Sequence, residues 1–300
     1  MDIAQLNDHF GLPGVLTFDE HNGLPRAQVT TSAATATVYL HGAHLTHWQP
    51  AGHDPVLFMS ATSDFSADKP IRGGIPICFP WFGPRSDGGP GPGHGFARIQ
   101  PWELAFAALM PDEVAGDSVH LTLTLGPTGL SRSLGFDHFR VAYDLVIGRT
   151  LKLRLSVANL GEHPLHFEEA LHTYLQVPDV HTVSILGVEG AEYLDKTADG
   201  ARKRLPDAPL KFTARTDSVF PGHTAPCVLQ IPGKPAVTNI KTNSATTVIW
   251  NPSAAVTFPD LEPAGWERFC CIETANTGAD AITLAPNQAH TMEALLTLAS

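Results

Sequence analysis

Apolar residues recur at every second position in several short stretches of this chain. "TLKLRLSV" (150–157) is the clearest, with Leu151, Leu153 and Leu155 on one side and Lys152 and Arg154 on the other. A period of two belongs to an extended strand, because successive side chains point to opposite faces of a sheet. "TATVYL" (35–40), "SVHLTLTL" (118–125), "FRVAYDLVI" (139–147), "APCVLQI" (225–231), "TTVIW" (246–250), "RFCCIE" (268–273) and "TMEALLTL" (291–298) are strands on the same β-rich reading. "GRT" (148–150) joins two strands as a tight hairpin. With 26 glycines and 25 prolines between the short runs, the pattern predicts an all-β sandwich or barrel. Helical signal is poor, and "SATSDFSADKP" (60–70), with a serine or aspartate cap and a proline stop, offers one short helix. No stretch reads as an interdomain linker. "RSDGGPGPGHG" (85–95) reads as a flexible surface loop within a single domain covering residues 1–300.

One stretch raises a question that periodicity does not answer. In "HFEEALHTYL" (166–175), read as a strand, Phe167, Glu169, Leu171, Thr173 and Leu175 share a face. His166, Glu168, Ala170, His172 and Tyr174 share the other, which is therefore lined with polar and titratable groups.

Composition narrows the classes. A chain of 300 residues, 43% hydrophobic and 16% charged, is a soluble globular protein. A net charge of −11 argues against nucleic-acid binding by bulk electrostatics and leaves room for a local basic site for a small anion. The first 25 residues hold no Lys or Arg and no apolar signal core, and no apolar run reaches membrane-spanning length. The expectation is a cytoplasmic monomer with no membrane partner. Cys78, Cys227, Cys270 and Cys271 fit neither a C-x-x-C site nor a disulfide framework, so free thiols are expected, with Cys270 and Cys271 on opposite strand faces. G-x-x-x-x-G-K-[ST], H-E-x-x-H and G-x-S-x-G are all missing, against nucleotide hydrolases, zincins and α/β-hydrolases. "HGAHLTH" (41–47) shows no ligand spacing, so His41, His44 and His47 read as surface or core-edge histidines, with His44 placed near a site.

Three further stretches carry chemistry. "RGGIPICFPWFGP" (72–84) opens with Arg72 and two glycines that allow unusual backbone angles, and its Phe79, Trp81 and Phe82 either wall a sugar site or fill the core. "HGFAR" (94–98) offers His94 and Arg98, and "CIETAN" (271–276) places Glu273 in a β-rich run where an unpaired carboxylate is costly to bury. Taken in order, "RGGIPICFPWFG", "HGFAR", "ALHTYL", "EYLDK" and "IETAN" resemble the hexose-6-phosphate mutarotases of the aldose 1-epimerase, or galactose-mutarotase-like, superfamily. The resemblance runs from about Val15 to the C-terminus, and "WNPSAAVTFPDLEPAGW" (250–266) is similar to that family's Trp-Asn-Pro region.

The resemblance implies a large antiparallel β-sandwich with an open cleft on one sheet face. It implies His172 as general acid, Glu273 as general base, Asp195 on sugar hydroxyls, and Arg72 and Arg98 on a phosphate. His94 and Trp81 join them as substrate neighbours. Where the family often has glutamine before the "HGFAR" histidine, this chain has Gly93, which leaves the sugar's identity open. The implied substrate is an aldohexose 6-phosphate whose anomers interconvert by ring opening and reclosure, without metal or other cofactor. The polar face of 166–175 would then be the cleft floor. An epimerase of unphosphorylated aldoses and a catalytically silent sugar-binding protein on the same fold are the alternatives.

Overall fold

In the computed structural model, which describes residues 1–114 and 116–299, the alternating stretches are strands: Ala34–Tyr39, Ser118–Leu125, Phe139–Ile147, Leu151–Asn159, Cys227–Gln230, Thr246–Asn251, Phe269–Asn276 and Ala289–Leu298. The hairpin at 148–150 closes with the Gly148 N–H donating to the Thr150 carbonyl at 3.1 Å. The strands assemble into antiparallel sheets. One sheet runs in the order Leu210–Lys211, Ser184–Leu186, Cys227–Gln230, Val237–Thr242, Ala289–Leu298, Leu151–Asn159, Phe139–Ile147, Ser118–Leu125 and Glu103–Met110. A second, the cleft sheet, runs Ala201–Arg204, Glu192–Asp195, Thr216–Pro221, Thr246–Asn251, Phe269–Asn276, Glu169–Leu171 and Ile77–Cys78, with Tyr174–Gln176 also paired to Phe269–Asn276. A meander of Leu16–His21, Leu24–Thr30, Ala34–Tyr39 and His44–Pro50 forms a further sheet.

The two large sheets face each other across the main core. Leu151, Leu153, Leu155 and Val157 from the first meet Leu171, Ile249, Cys270 and Ile272 from the cleft sheet in one apolar cluster. The outward Lys152 pairs across strands with Glu293 at 3.1 Å, as the polar half of an alternating strand should. Every residue of Phe269–Asn276 is buried, because this central strand is covered on both faces. Cys270 and Ile272 enter the main core, whereas Phe269 and Cys271 pack with Tyr174 on the other side, so the adjacent cysteines do point apart. All four cysteines are free thiols.

Two local expectations are corrected. Residues 60–70 form turns rather than a helix. Ser63 Oγ accepts the Arg72 N–H at 2.7 Å and Ser60 Oγ donates to Glu262 at 2.6 Å, so the serines anchor a loop where a cap was expected. The α-helices among the described residues are Ile3–Phe10 and Gly129–Ser133. The first is set by a capping box in which Asp2 and Gln5 exchange side-chain and backbone bonds, and it buries Leu6. Residues 166–175 are three short strands, Leu165–Phe167, Glu169–Leu171 and Tyr174–Gln176. The breaks arise because the N–H groups of Glu168, His172 and Tyr174 donate to Pro80, Pro76 and Gly74 of the 72–84 segment, at 2.9, 3.0 and 2.9 Å.

Leu155 is fully buried between Tyr143 and Met292 on the neighbouring strands. Leu155→Ala should lower unfolding free energy by about 2–5 kcal/mol, as core truncations of this size do, and leave substrate KM unchanged. Urea unfolding beside steady-state kinetics checks it; a change in KM with stability intact would mean that the core is not independent of the cleft.

Candidate active site

The outer face of the cleft sheet carries a cavity of about 680 Å3. Its lining includes Arg72, Phe82, His94, Arg98, Glu168, His172, Tyr174, Lys196, Asp217, Trp250, Phe258 and Glu273. Glu168, His172 and Tyr174 are the polar face of 166–175, as the cleft-floor expectation has it. His166, at the start of the same stretch, lies apart and bonds to Thr283 Oγ1 at 3.0 Å.

Strand register creates the central pair. Leu171 is opposite Thr274 and Tyr174 is opposite Cys271, so His172 falls opposite Glu273 across the same ladder. Cross-strand partners share a face. His172 Nε2 lies 3.4 Å from Glu273 Oε1. The imidazole is clamped by a near-parallel stack on Tyr174, with ring centroids 4.8 Å apart, and by the edge-on rings of Trp250 and His94 at 5.7 and 5.6 Å. Both partners are buried, and His172 Nδ1 and Glu273 Oε2 have no hydrogen-bond partner in the protein. Burial, then the charge of Asp217, pushes the Glu273 carboxyl well above the ordinary carboxylate range, with Arg98 acting the other way. Burial, then His94, Arg98 and Arg72, holds the His172 imidazole well below its ordinary value. In the free cavity both groups therefore favour their neutral forms.

Arg72 reaches the His172 side of the pair through Tyr174, whereas the charge of Arg98 acts on both His172 and Glu273. Arg72 stands at the head of a glycine pair with φ of +111° at Gly73 and +60° at Gly74. A Cβ at Gly74 would meet the Leu45 carbonyl at 2.3 Å, so no larger residue fits this path. His44 Nε2 meets the Gly73 carbonyl at 2.8 Å and supports the loop from within the core. Arg72 Nη1 donates to the Tyr174 hydroxyl at 3.2 Å and Nε to Asp260 Oδ2 at 3.1 Å, while Phe258 stacks beneath its guanidinium at 4.6 Å. Against the cost of burial, Tyr174 and Asp260 raise the Arg72 pKa above its ordinary value. Arg98 Nη2 donates to the Gly93 carbonyl at 2.7 Å, so the position where the family often has glutamine orients an arginine through its backbone. His94 sits at φ +62°, a strained angle for a residue with a side chain, fixed by its N–H on the Gly83 carbonyl at 2.6 Å and by the Gly83 N–H on its Nδ1 at 3.2 Å.

Two expected residues are not brought to the cavity. Asp195 pairs opposite Ser218 and shares its face, whereas Asp217, one residue earlier, points the other way into the cavity with Val219. The Asp195 carboxylate instead caps the turn Lys196–Ala198, accepting from the N–H and hydroxyl of Thr197 at 2.9 and 2.6 Å, and binds Lys203 Nζ at 2.6 Å. Trp81 lies behind the wall, packed on Phe96 and Phe136 with its Nε1 donating to the Pro92 carbonyl at 2.9 Å; Phe82 lines the cavity in its place. Asp217, Lys196, Glu168 and Phe258 line the cavity without having been singled out as site residues. For Asp217 the available signal was strand parity with Val219 in "TDSVF". Glu168 acts as a structural tie. Its carboxylate accepts from the Phe82 N–H, the Thr277 hydroxyl and the Gly278 N–H at 2.8, 2.9 and 2.7 Å, joining the aromatic wall to the end of the Glu273 strand.

The sequence pattern of the family described as "Aldose 1-epimerase" matches residues 26–297. The chain is 33% identical to a protein of Escherichia coli named "Putative glucose-6-phosphate 1-epimerase", over 80% of this chain and 79% of that protein. A protein of the same name from Salmonella typhimurium is 31% identical over 90% of this chain and 91% of its own length. The crystal structure of a "putative mutarotase" from Salmonella typhimurium superposes with a TM-score of 0.87 at 28% identity, covering 96% of this chain and 95% of that one.

The His94 environment makes a direct pH prediction. Burial, then the charges of Arg98 and Arg72, pulls its pKa from 6.5 to about 3. Between these values the unfolded chain takes up a proton at this position that the folded chain refuses. Stability contributed by neutral His94 is therefore full above pH 6.5 and declines as the pH falls toward 3. NMR titration of the His94 ring should show no protonation down to about pH 4, since less than a tenth is charged one unit above the pKa. A midpoint near 6.5 would contradict this.

Proposed function

Because the chain belongs to the aldose 1-epimerase family, we propose that it interconverts the α and β anomers of an aldohexose 6-phosphate, foremost glucose 6-phosphate. The observation that carries this reading is the His172–Glu273 pair, 3.4 Å apart in a cavity that Arg72 and Arg98 also line. In a pyranose 6-phosphate, C6 is attached to C5, the carbon bearing the ring oxygen. A phosphate on Arg72 and Arg98 thus brings O5 toward His172 and leaves C1 and its hydroxyl toward Glu273.

The chemistry needs only protons to move. Glu273, as carboxylate, takes the proton of O1–H while His172, as imidazolium, gives one to O5. The C1–O5 bond breaks, its electron pair remains on O5, and C1 becomes an aldehyde. Rotation about C1–C2 presents the other carbonyl face, and the same transfers in reverse close the ring. Positioned groups of this kind each contribute roughly 10²–10⁴-fold. Asp217 and Lys196 are within the same cavity to bind sugar hydroxyls. The names of the Escherichia coli and Salmonella typhimurium relatives support the phosphorylated substrate. A free aldose is the rival, favoured by the engagement of Arg72 with Asp260 and of Arg98 with the Gly93 carbonyl.

His172→Ala and Glu273→Gln should each lower kcat by about 10²–10⁴-fold, with a combined effect less than additive. Arg72→Ala or Arg98→Ala should raise KM for glucose 6-phosphate about tenfold or more, the loss of a charge-assisted bond, and leave KM for glucose nearly unchanged. Exchange NMR of anomer interconversion on both sugars measures the four single variants and the double one. Equal weakening toward both sugars would assign the arginines to structure and hand the site to free aldoses; full activity in a His172 or Glu273 variant would remove that residue from the reaction.

A further inference from the structure

Burial of both members of the central pair disfavours the charge state that ring opening needs. The reaction starts with a charged pair, carboxylate at O1 and imidazolium at O5. The empty cavity favours the neutral pair, carboxyl and imidazole. These two states have the same number of protons and differ only in which side of a 3.4 Å gap, between Glu273 Oε1 and His172 Nε2, the proton occupies. We propose that the substrate's own phosphate, seated on Arg72 and Arg98, drives this proton from Glu273 to His172 and so arms the acid–base pair. The inference rests on the phosphorylated-substrate reading above and adds that the phosphate acts in the chemical step as well as in binding.

The charges around the pair point this way. Arg72 from the Gly-Gly loop and Arg98 from "HGFAR" are the cations that disfavour an imidazolium at His172, while His94, held neutral, adds no charge. Tyr174 is held in its neutral form and packs against the ring without adding charge. On the carboxyl side, Cys271 and Cys78 are neutral thiols, Asp217 is the anion that disfavours a carboxylate at Glu273, and Arg98 favours it, so the phosphate arms the pair chiefly through Arg72, which acts on His172 alone of the two. Asp260 already offsets part of the Arg72 charge through Nε. A phosphate dianion on the remaining guanidinium nitrogens brings two negative charges beside His172, cancels the cationic field and makes the imidazolium favourable in a poorly solvated space.

The geometry holds the imidazole and Arg72 together beside Glu273. The Tyr174 stack fixes the imidazole plane, and the Tyr174 hydroxyl holds Arg72, so phosphate binder and acid share one rigid support. The proton balance closes. The carboxyl O–H of Glu273 breaks and an N–H forms on His172, with no proton taken from water. Ring opening then returns a proton to Glu273 from O1 and removes one from His172 to O5. The open-chain aldehyde therefore faces the same neutral pair as the resting site. A sugar without phosphate meets the pair unarmed, so discrimination should appear in kcat as well as in KM.

The probes are 1,5-anhydroglucitol and its 6-phosphate, which keep the ring oxygen but lack the anomeric hydroxyl and cannot open. The His172 ring is titrated by NMR in the full-length protein, free and saturated with each probe, its signal identified by its loss in His172→Gln. With the phosphorylated probe the His172 midpoint should rise by at least about one pH unit, a tenfold gain in protonated fraction. The unphosphorylated probe should leave it within a few tenths, and Arg98→Met should shrink the rise. Saturation by the phosphorylated probe with a midpoint equal to that of the unphosphorylated one would overturn the proposal and leave the phosphate as an anchor only. Equal affinity for the two probes would instead overturn the phosphorylated-substrate reading itself, and this inference with it.

Discussion

The site depends on one cross-strand pairing: His172 opposite Glu273 on the face of a sheet whose other face is sealed in the main core. Because Cys270 and Ile272 are locked into that core, the Glu273 strand cannot slip by one residue without turning its hydrophobic set outward. Packing on one face thereby fixes chemistry on the other. The ladder is interrupted where the pair sits, since the His172 N–H goes to Pro76 and the Tyr174 N–H to Gly74. Those same bonds bring Arg72, at the head of that segment, to the rim of the pair. A single set of backbone hydrogen bonds thus locates both His172 and Arg72.

Electrostatics then shape what the pair can do. The chain has a net charge of −11, yet its cavity gathers Arg72, Arg98, Arg85 and Lys196 against Glu168, Asp217 and Glu273. An anionic ligand is attracted locally while the molecule as a whole repels it. Arg72 and Arg98 depress His172, and Asp217, in the same cavity, lifts Glu273. On the proposed reading, binding and proton affinity are two consequences of the same charges.

Much of this was legible in the chain. Alternation in 150–157 and 118–125 located strands because a half-buried sheet demands that pattern, and the Gly73–Gly74 pair announced a backbone that a side chain would block. The motif order identified His172, Glu273, Arg72 and Arg98, and the fold brings all four to one cavity. Other features were set by contacts remote in sequence. The helix read into 60–70 lost to serine bonds made with Arg72 and Glu262, the latter 202 positions from Ser60. Asp195 and Asp217 are both strand carboxylates, and only the register against Ser218 and Val219 tells which one faces the cleft. Trp81 and Phe82 are adjacent aromatics on opposite sides of a wall, a choice made by where Phe96 and Phe136 leave room. The 252–268 loop supplies Phe258 and Asp260 to Arg72 through the fold alone, with no periodicity to mark it.

The most direct test of the account is a crystal structure of the protein with 1,5-anhydroglucitol 6-phosphate bound. The expected result is a phosphate hydrogen-bonded to both Arg72 and Arg98, the ring oxygen turned toward His172 and C1 toward Glu273. A phosphate seated at Lys196, or a ring whose oxygen points away from His172, would contradict it.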